Sequence, residues 1–429
     1  FSIIMKTTAH IIGFLSLALV ARKLGSFAMG TVAFATSYIA LFTTFSDLGY
    51  GSAHIKRVSE GKDLGKCNGT YFTIKICLNI LMIIIIVGSV LFQKYVIKST
   101  NLTYKREIII YIVLVSTVIS NMAMMLTVTF TARKELAKTT TAEVVQMLIN
   151  RLLKIFVALI GLSVYFLAGV KVLTSIIWLG ILVFFFKGYP IKKFNIDYFK
   201  SYTKFALPVI IIGFLTKYSA HLDIVMIGYF ISSDDVGQYV VGKRLAEIFL
   251  IFITVSNTLI FPTYSQLHSE GKIGMLKIIA NKVERYFSMF MIPIATLVML
   301  NAKTICYYIV GNEFVETSPI ILGVLVWFTT IKALMYPYSQ QLTATNNVKL
   351  AANISIFYLG LNIILNIIFI PDQIFNFNML GMGSIGAAIA TLISSIIGSI
   401  TYRIYAYKIT GSTINYKIFI HVLSSLLMM

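Results

Sequence analysis

The sequence predicts an all-α protein, a polytopic bundle of transmembrane helices, and three observations carry that prediction. Of 429 residues, 58% are hydrophobic and only 12% are charged, and the mean hydropathy is +0.86. A soluble domain averages about a quarter charged residues, so water could not solvate this chain's surface, whereas lipid can solvate the outer faces of a helix bundle. Apolar runs of about 20 residues, the length that crosses a bilayer, recur from one end of the chain to the other. The breaks between those runs alternate between strongly and weakly basic, the pattern of a multi-pass protein.

The spans are expected near residues 1–20, 27–48, 71–96, 108–130 and 144–167, with a shorter sixth at 172–186. A second series follows near 205–230, 236–261, 286–310, 320–342, 350–370 and 385–405, and a thirteenth opens at Ile418. This grouping predicts an amino-terminal lobe at 1–190, a carboxy-terminal lobe at 191–409, and the start of a further, truncated helix at 410–429. The first apolar run leads straight into the membrane pattern, which argues against a cleaved signal peptide.

One set of breaks holds nineteen Lys and Arg residues, among them Lys56, Arg57, Lys62 and Lys66, the run from Lys187 to Lys204, and Arg403. The other set holds seven, including Lys105, Arg106 and Lys171; beyond the seventh span it holds only acids, such as Asp234, Asp235 and Glu313. Basic breaks stay in the cytoplasm, so the amino terminus is expected there, with the protein in the cell (inner, cytoplasmic) membrane. The net charge of +20 is scattered over these short breaks and forms no basic domain, so no nucleic-acid partner is expected. Cys67, Cys77 and Cys306 have no CxxC spacing and suggest neither a metal site nor a disulfide framework.

Two outer turns resemble each other. Leu24-Gly25-Ser26-Phe27-Ala28-Met29-Gly30 follows the first span and Ile231-Ser232-Ser233-Asp234-Asp235-Val236-Gly237 the seventh, each with a glycine that opens the next helix. A duplicated six-plus-six arrangement is one reading; the need of any short helical hairpin for Gly or Ser is the other. Pro208, Pro262, Pro293 and Pro337 lie in or near spans, where each removes a backbone hydrogen bond and bends its helix.

Three stretches together resemble the multidrug/oligosaccharidyl-lipid/polysaccharide exporter superfamily, and within it the O-antigen type polysaccharide flippases. They are Ala21-Arg22-Lys23-Leu24-Gly25 through Gly30 and on to Phe45-Ser46-Asp47-Leu48-Gly49; Asp223-Ile224-Val225-Met226-Ile227-Gly228-Tyr229-Phe230 with Lys243-Arg244-Leu245-Ala246-Glu247; and Asn362 to Asn366 with Ile370-Pro371 and Gly386-Ala387-Ala388. The resemblance implies two six-helix lobes around a central cavity lined by helices one, two, seven and eight. It also implies fourteen helices in the intact protein, of which this chain holds twelve and part of a thirteenth. The third stretch reads as packing: Asn362 and Asn366 share a helix face, and the small residues allow close helix approach.

A Lys or Arg at the centre of a span costs about 2.5–3.5 kcal/mol on insertion scales, so it faces a cavity or a partner. The candidates for a cationic substrate-binding set are Lys6 and His10 on the first span, Lys217 and His221 on the seventh, Arg244 on the eighth and Lys332 on the tenth. Lys6/His10 and Lys217/His221 are each i,i+4 pairs. Snorkelling to the headgroups is the alternative for Lys6, and explains Arg151 and Lys154. Asp223, Lys243 and Glu247 are candidates for ion coupling or for an internal ion pair; Asp223 and Glu247 are the acids that this reading places well inside a span.

An organic-cation pump needs buried carboxylates, and here basic groups outnumber them. Together with the resemblance, this points to a transporter that flips a polyprenyl-linked oligosaccharide diphosphate from the cytoplasmic to the outer leaflet by alternating access, its phosphates held by Lys and Arg. The alternative is a multidrug or organic-cation antiporter of the same superfamily. A membrane glycosyltransferase or polymerase is a third reading, disfavoured because no break is long enough for a catalytic extracytoplasmic loop. No phosphate-binding GxxxxGK[ST], GxSxG or clustered metal ligands occur, so no enzyme is expected and no cofactor beyond a coupling ion, Na+ or H+. The implied partners are the lipid-linked substrate, membrane lipids and other polysaccharide-assembly proteins.

Overall fold

The first corner of the chain is made by a single glycine. Helix α1 (Ser2–Phe42) leaves helical backbone at Gly25, where φ is 77° and ψ is −179°, and so divides into two arms. That conformation is open essentially to glycine alone, which gives the Leu24-Gly25 motif its physical reason. The computed structural model describes residues 2–97, 103–374, 376–412, 416 and 418–426, with side chains described from Ile12 onward apart from a few positions in later helices.

The described helices form two compact units, Phe1–Gly228 and Tyr229–Met429. After α1 the first unit holds α2 (Tyr50–Ser59), α3 (Leu64–Tyr95), α4 (Tyr104–Ala132), α5 (Leu136–Ile160), α6 (Val164–Phe186) and nearly all of α7 (Ile196–Phe230). The second holds α8 (Ser233–Glu247), α9 (Ile251–Ser269), α10 (Ile273–Leu300), α11 (Ala302–Val310), α12 (Ser318–Ala344), α13 (Val348–Phe369), α14 (Gly383–Thr410) and α15 (Ile418–Leu426). A small antiparallel hairpin, β1 (Gln373–Ile374) with β2 (Phe377–Asn378), joins α13 to α14. The sequence reading divides the lobes at 190/191, before α7; in the structure α7 groups with the first unit as far as Gly228.

Eight of the described helices are long and apolar enough to cross a membrane: α1, α3, α4, α6, α10, α12, α13 and α14. With α5, α7 and the α8–α9 pair they occupy the places of the twelve expected spans, α1 supplying two. Large apolar side chains on their flanks stand open, Ile84 at 62% and Phe166 at 57% exposure among them. Such faces are costly in water and are satisfied by lipid tails.

Several boundaries differ from the sequence reading, and three of them have a local reason. Helix α5 stops at Ile160 because Gly161 turns left-handed at φ 72°, its N–H meeting the Ala158 and Val157 carbonyls. Helix α6 therefore begins at Val164, not near 172, and Lys171 moves from a loop into a helix. The expected span at 236–261 is α8 and α9, separated by a 3-10 turn at Ile248–Leu250 and running on to Ser269. The expected span at 286–310 is instead α10, which starts at Ile273 and ends where the Asn301 amide donates back to the Leu297 carbonyl at 2.9 Å; α11 is separate.

In the first unit the core between α2, α3, α4 and α7 is organised on His54, which is fully buried. Its Nδ1 lies 2.9 Å from the Tyr202 hydroxyl, its Nε2 lies 3.0 Å from Thr129 Oγ1, and its ring stacks on Tyr71 at 4.3 Å. This short helix lies outside the apolar spans, and burial pushes the imidazole down to about 3, so it is neutral. Beside it, the buried Lys75 ammonium donates to the Ser46 carbonyl at 2.6 Å and to Asp47 at 2.9 Å, which gives the Phe45-Ser46-Asp47 motif a structural role. The segment from α6 to α7 is strapped across the start of α3. Lys192 N–H donates to the Gly65 carbonyl at 2.9 Å, Asn68 to the Pro190 carbonyl at 2.9 Å, and Asn195 N–H to Thr70 at 3.1 Å. Lys192 Nζ also meets Asp63 at 2.7 Å, and that contact, with the Lys66 N–H, holds the Asp63 carboxyl below the usual range.

In the second unit the Asn366 amide donates to Asn362 Oδ1 at 3.1 Å and the Asn362 amide to Thr391 at 3.3 Å. A Cβ on Gly386 would stand 2.5 Å from the Phe369 carbonyl oxygen. The third motif thus joins α13 to α14 by polar contacts and close approach, each interhelical hydrogen bond worth about 0.6–2 kcal/mol in a membrane.

Candidate functional site

Buried charge in a membrane helix is costly enough that each instance needs a partner or a task. Lys6 and His10 lie outside the residues whose side chains are described. On α7, Lys217 is exposed, His221 is half-buried with Nδ1 3.1 Å from Ser37 Oγ on α1, and Asp223 is buried. The i,i+4 spacing does place Lys217 and His221 on one side of α7. Next to Ser37, Thr36 accepts a hydrogen bond from Lys171 Nζ of α6 at 2.7 Å. Two basic side chains from different helices therefore meet consecutive hydroxyl residues on the second arm of α1. The sequence reading missed Lys171 by counting it in an outer break; the helix stop at Gly161 was the available signal.

The second unit gathers the remaining candidates on α8 and α12. Arg244 and Glu247 approach to 3.9 Å, a loose pair one turn apart on α8. Lys243 Nζ sits over the Tyr239 ring at 5.6 Å from its centroid. Lys332 Nζ sits over the Phe328 ring, also at 5.6 Å, and is close enough to Lys243 and Glu247 to feel both charges. Three cations and one carboxylate thus share this cluster, and the acid contacts Arg244. An exposed pair at 3.9 Å adds little to stability.

Arg106, also counted as an outer-loop residue, is buried at the start of α4, where its guanidinium donates to the Gly228 carbonyl at 2.7 Å and covers the Phe34 ring at 5.1 Å. Such a cation satisfies one of the orphan carbonyls that end α7. Two further charges escaped the sequence reading: Glu284, buried in α10, and its partner Arg403 in α14, which had been counted in a basic break. Among the described residues no group of three or more His, Cys, Asp or Glu side chains is arranged to hold a metal ion.

The helical fold is similar to those of two solved membrane proteins. The lipid II flippase MurJ, in an inward closed conformation, superposes with a TM-score of 0.73 at 15% identity, over 99% of this chain and 96% of the other. An inward-facing multidrug resistance transporter of the MATE family, in the MOP superfamily, gives a TM-score of 0.71 at 13% identity, over 95% of this chain and 96% of the other. In sequence, the chain is 24% identical over 217 residues to the probable low-salt glycan biosynthesis flippase Agl15 of Haloferax volcanii, covering 51% of this chain and 43% of that protein. It is 28% identical over 183 residues to the probable flippase AglR of the same organism, covering 42% of this chain and 36% of that protein. The matched region spans less than half the length of either relative. The helical fold is thus MurJ- and MATE-like, and residues 19–319, well over half of the chain, match the model of one family, which makes the chain a member of the polysaccharide biosynthesis protein family.

Proposed function

We propose that this protein flips a lipid-linked oligosaccharide diphosphate from the cytoplasmic to the outer leaflet, and that it is a transporter and not an enzyme. The observation that carries the reading is the sign of the charge on its helices. Lys171, Lys217 and His221 stand against Asp223 in the first unit, and Lys243, Arg244 and Lys332 against Glu247 in the second. A positive potential between low-dielectric walls draws in a diphosphate and repels an organic cation. Like charges a few ångströms apart at an effective dielectric of about 20 cost about 4 kcal/mol, enough to decide between the two substrates. The names of the Haloferax relatives and of the lipid II flippase point the same way. Lys and Arg are the side chains that hold phosphate, and Arg does so in a fork. The remaining elements of the reading are a cytoplasmic amino terminus, residence in the inner membrane, an ion gradient as the energy source and contacts with other assembly proteins; the charge bias of the breaks supports the first two.

Cells lacking the protein are expected to accumulate lipid-linked oligosaccharide on the inner leaflet with unchanged sensitivity to cationic dyes. Lys217→Glu should abolish flipping, while Lys217→Arg should retain part of it. Exchange of ethidium for sodium or protons by the purified protein would overturn the assignment and turn attention to Asp223 and Glu247.

A further inference from the structure

Glu284 is a buried acid among the helices of the second unit, and none of the substrate chemistry above uses it. It lies in the middle of α10 with 1% of its side chain exposed. Arg403 from α14 pairs with its Oε1, and the Tyr338 hydroxyl from α12 donates to its Oε2 at 2.6 Å. Arg403 Nη2 also donates to that hydroxyl at 3.0 Å, and its guanidinium lies over the Tyr338 ring at 4.8 Å. Three helices therefore converge on one carboxylate.

Two features separate this cluster from an ordinary buried bridge. The first is asymmetry. Arg403 keeps 24% of its side chain exposed while Glu284 keeps almost none, and Arg403 Nε has no hydrogen-bond partner among the described residues. The cation can return to water at small cost, whereas the carboxylate could lose its partner only by becoming neutral. The second is position. Tyr338 directly follows Pro337, which breaks the backbone ladder of α12. One turn further on, Gln341 Oε1 accepts from Thr410 and from Ser412, each at 3.2 Å, and those two hydroxyls lie 2.7 Å apart. The Gln341 amide also donates to the Leu276 carbonyl of α10 at 3.0 Å, so a second buried polar cluster ties α10, α12 and the end of α14 together one turn from Tyr338.

We propose that Glu284 is a proton-binding site of the second unit and that its protonation opens the α10–α12–α14 junction at Pro337. One proton from water adds to a carboxylate oxygen, the carboxylate becomes a neutral acid, and no other bond forms or breaks. Arg403 keeps its charge and turns outward, and Tyr338 loses its anionic acceptor. Other ionisable groups around the site are Tyr264 of α9 and Tyr336 of α12 beside Tyr338, Tyr402 and Tyr405 of α14 in the same core, Arg285 next in the chain, and His421 of α15, whose Nδ1 lies 2.9 Å from Ser288 one turn along α10. Helix α11 adjoins the opposite end of α10.

Trp327 offers a reporter, since it sits on α12 and its Nε1 lies 3.3 Å from the Met299 sulfur on α10. The chain has two tryptophans, so Trp178→Phe leaves Trp327 as the sole fluorophore. The purified full chain in this background is titrated from mildly alkaline to acidic pH, following Trp327 emission and the infrared carbonyl band of a protonated carboxyl group. A single transition is expected in both signals, and Glu284→Gln should remove both. Tyr338→Phe, which leaves the ion pair in place, should move the midpoint to higher pH by about one to two units, the worth of one hydrogen bond to a charged group. A transition that persists in Glu284→Gln overturns the proposal, as does its absence from the parent protein. If Glu284→Gln does not fold, an unmoved midpoint in Tyr338→Phe overturns it. No substrate enters any of these measurements, so they stand or fall separately from the flipping assay.

Discussion

His54 makes the stability of the first unit depend on pH in a direction that can be worked out in advance. In the folded protein its ring is neutral, pushed down to about 3 by burial, whereas an exposed imidazole takes up its proton near 6.5. Between those values the unfolded chain holds a proton that the folded chain does not. Stability is therefore complete above about pH 6.5 and falls as acid is added, by about 1.4 kcal/mol per pH unit and about 5 kcal/mol once pH reaches the folded value. At about pH 4.5 the loss is about 2.7 kcal/mol, or about 5–11 °C in the melting temperature of a unit this size. His54→Gln keeps a donor and an acceptor for Tyr202 and Thr129 but cannot titrate. It gives up the stack on Tyr71, which lowers stability by about 1 kcal/mol at neutral pH. Melting curves of the two proteins in detergent, followed by circular dichroism, should start apart and then converge or cross as pH drops below 6.5. Parallel curves down to about pH 4.5 would refute the reasoning.

The strap across α3 makes a second prediction. A Cβ at position 69 would lie 1.7 Å from the Lys192 carbonyl oxygen, so Gly69→Ala must lift the strap and break three hydrogen bonds, at about 3 kcal/mol. Amide exchange at 192 and 195 should accelerate together, with α4 and α6 unchanged. The topology supplies a third: with Cys67, Cys77 and Cys306 replaced, Asp234→Cys should react with an impermeant thiol reagent in intact cells and Lys192→Cys only after lysis. Labelling at 192 in intact cells would invert the orientation.

The membrane spans were legible because apolar length is a one-dimensional signal, and each expected span has a helix in its place. The helix ends were less so. The run through Gly161-Leu162-Ser163 stays apolar enough to hide a helix stop, and only the left-handed turn at Gly161 reveals it. The same limit explains the site residues. Lys217 and His221 stand out because their surroundings are apolar. Glu284 and Arg403 do not, because α10 and α14 extend past the apolar runs and carry them among Lys277, Lys282, Arg285 and Lys408. Nothing in the one-dimensional pattern separates a charge that pairs inside the protein from one that faces water. Lys171 was misplaced by the missed stop at Gly161, and Arg106 because two helices distant in sequence must meet before its partner exists.

The meeting of α1, α4 and α7 at Gly228 carries a consequence for descent. A Cβ there would stand 2.2 Å from the Phe34 ring, which in turn lies under the Arg106 guanidinium that binds the Gly228 carbonyl. No one of the three can change size or charge alone without disturbing the other two. In related chains these positions should accordingly be inherited as a set: a side chain larger than hydrogen at 228 should arrive with a smaller residue in place of the ring, and loss of the arginine with a different cap for the carbonyl.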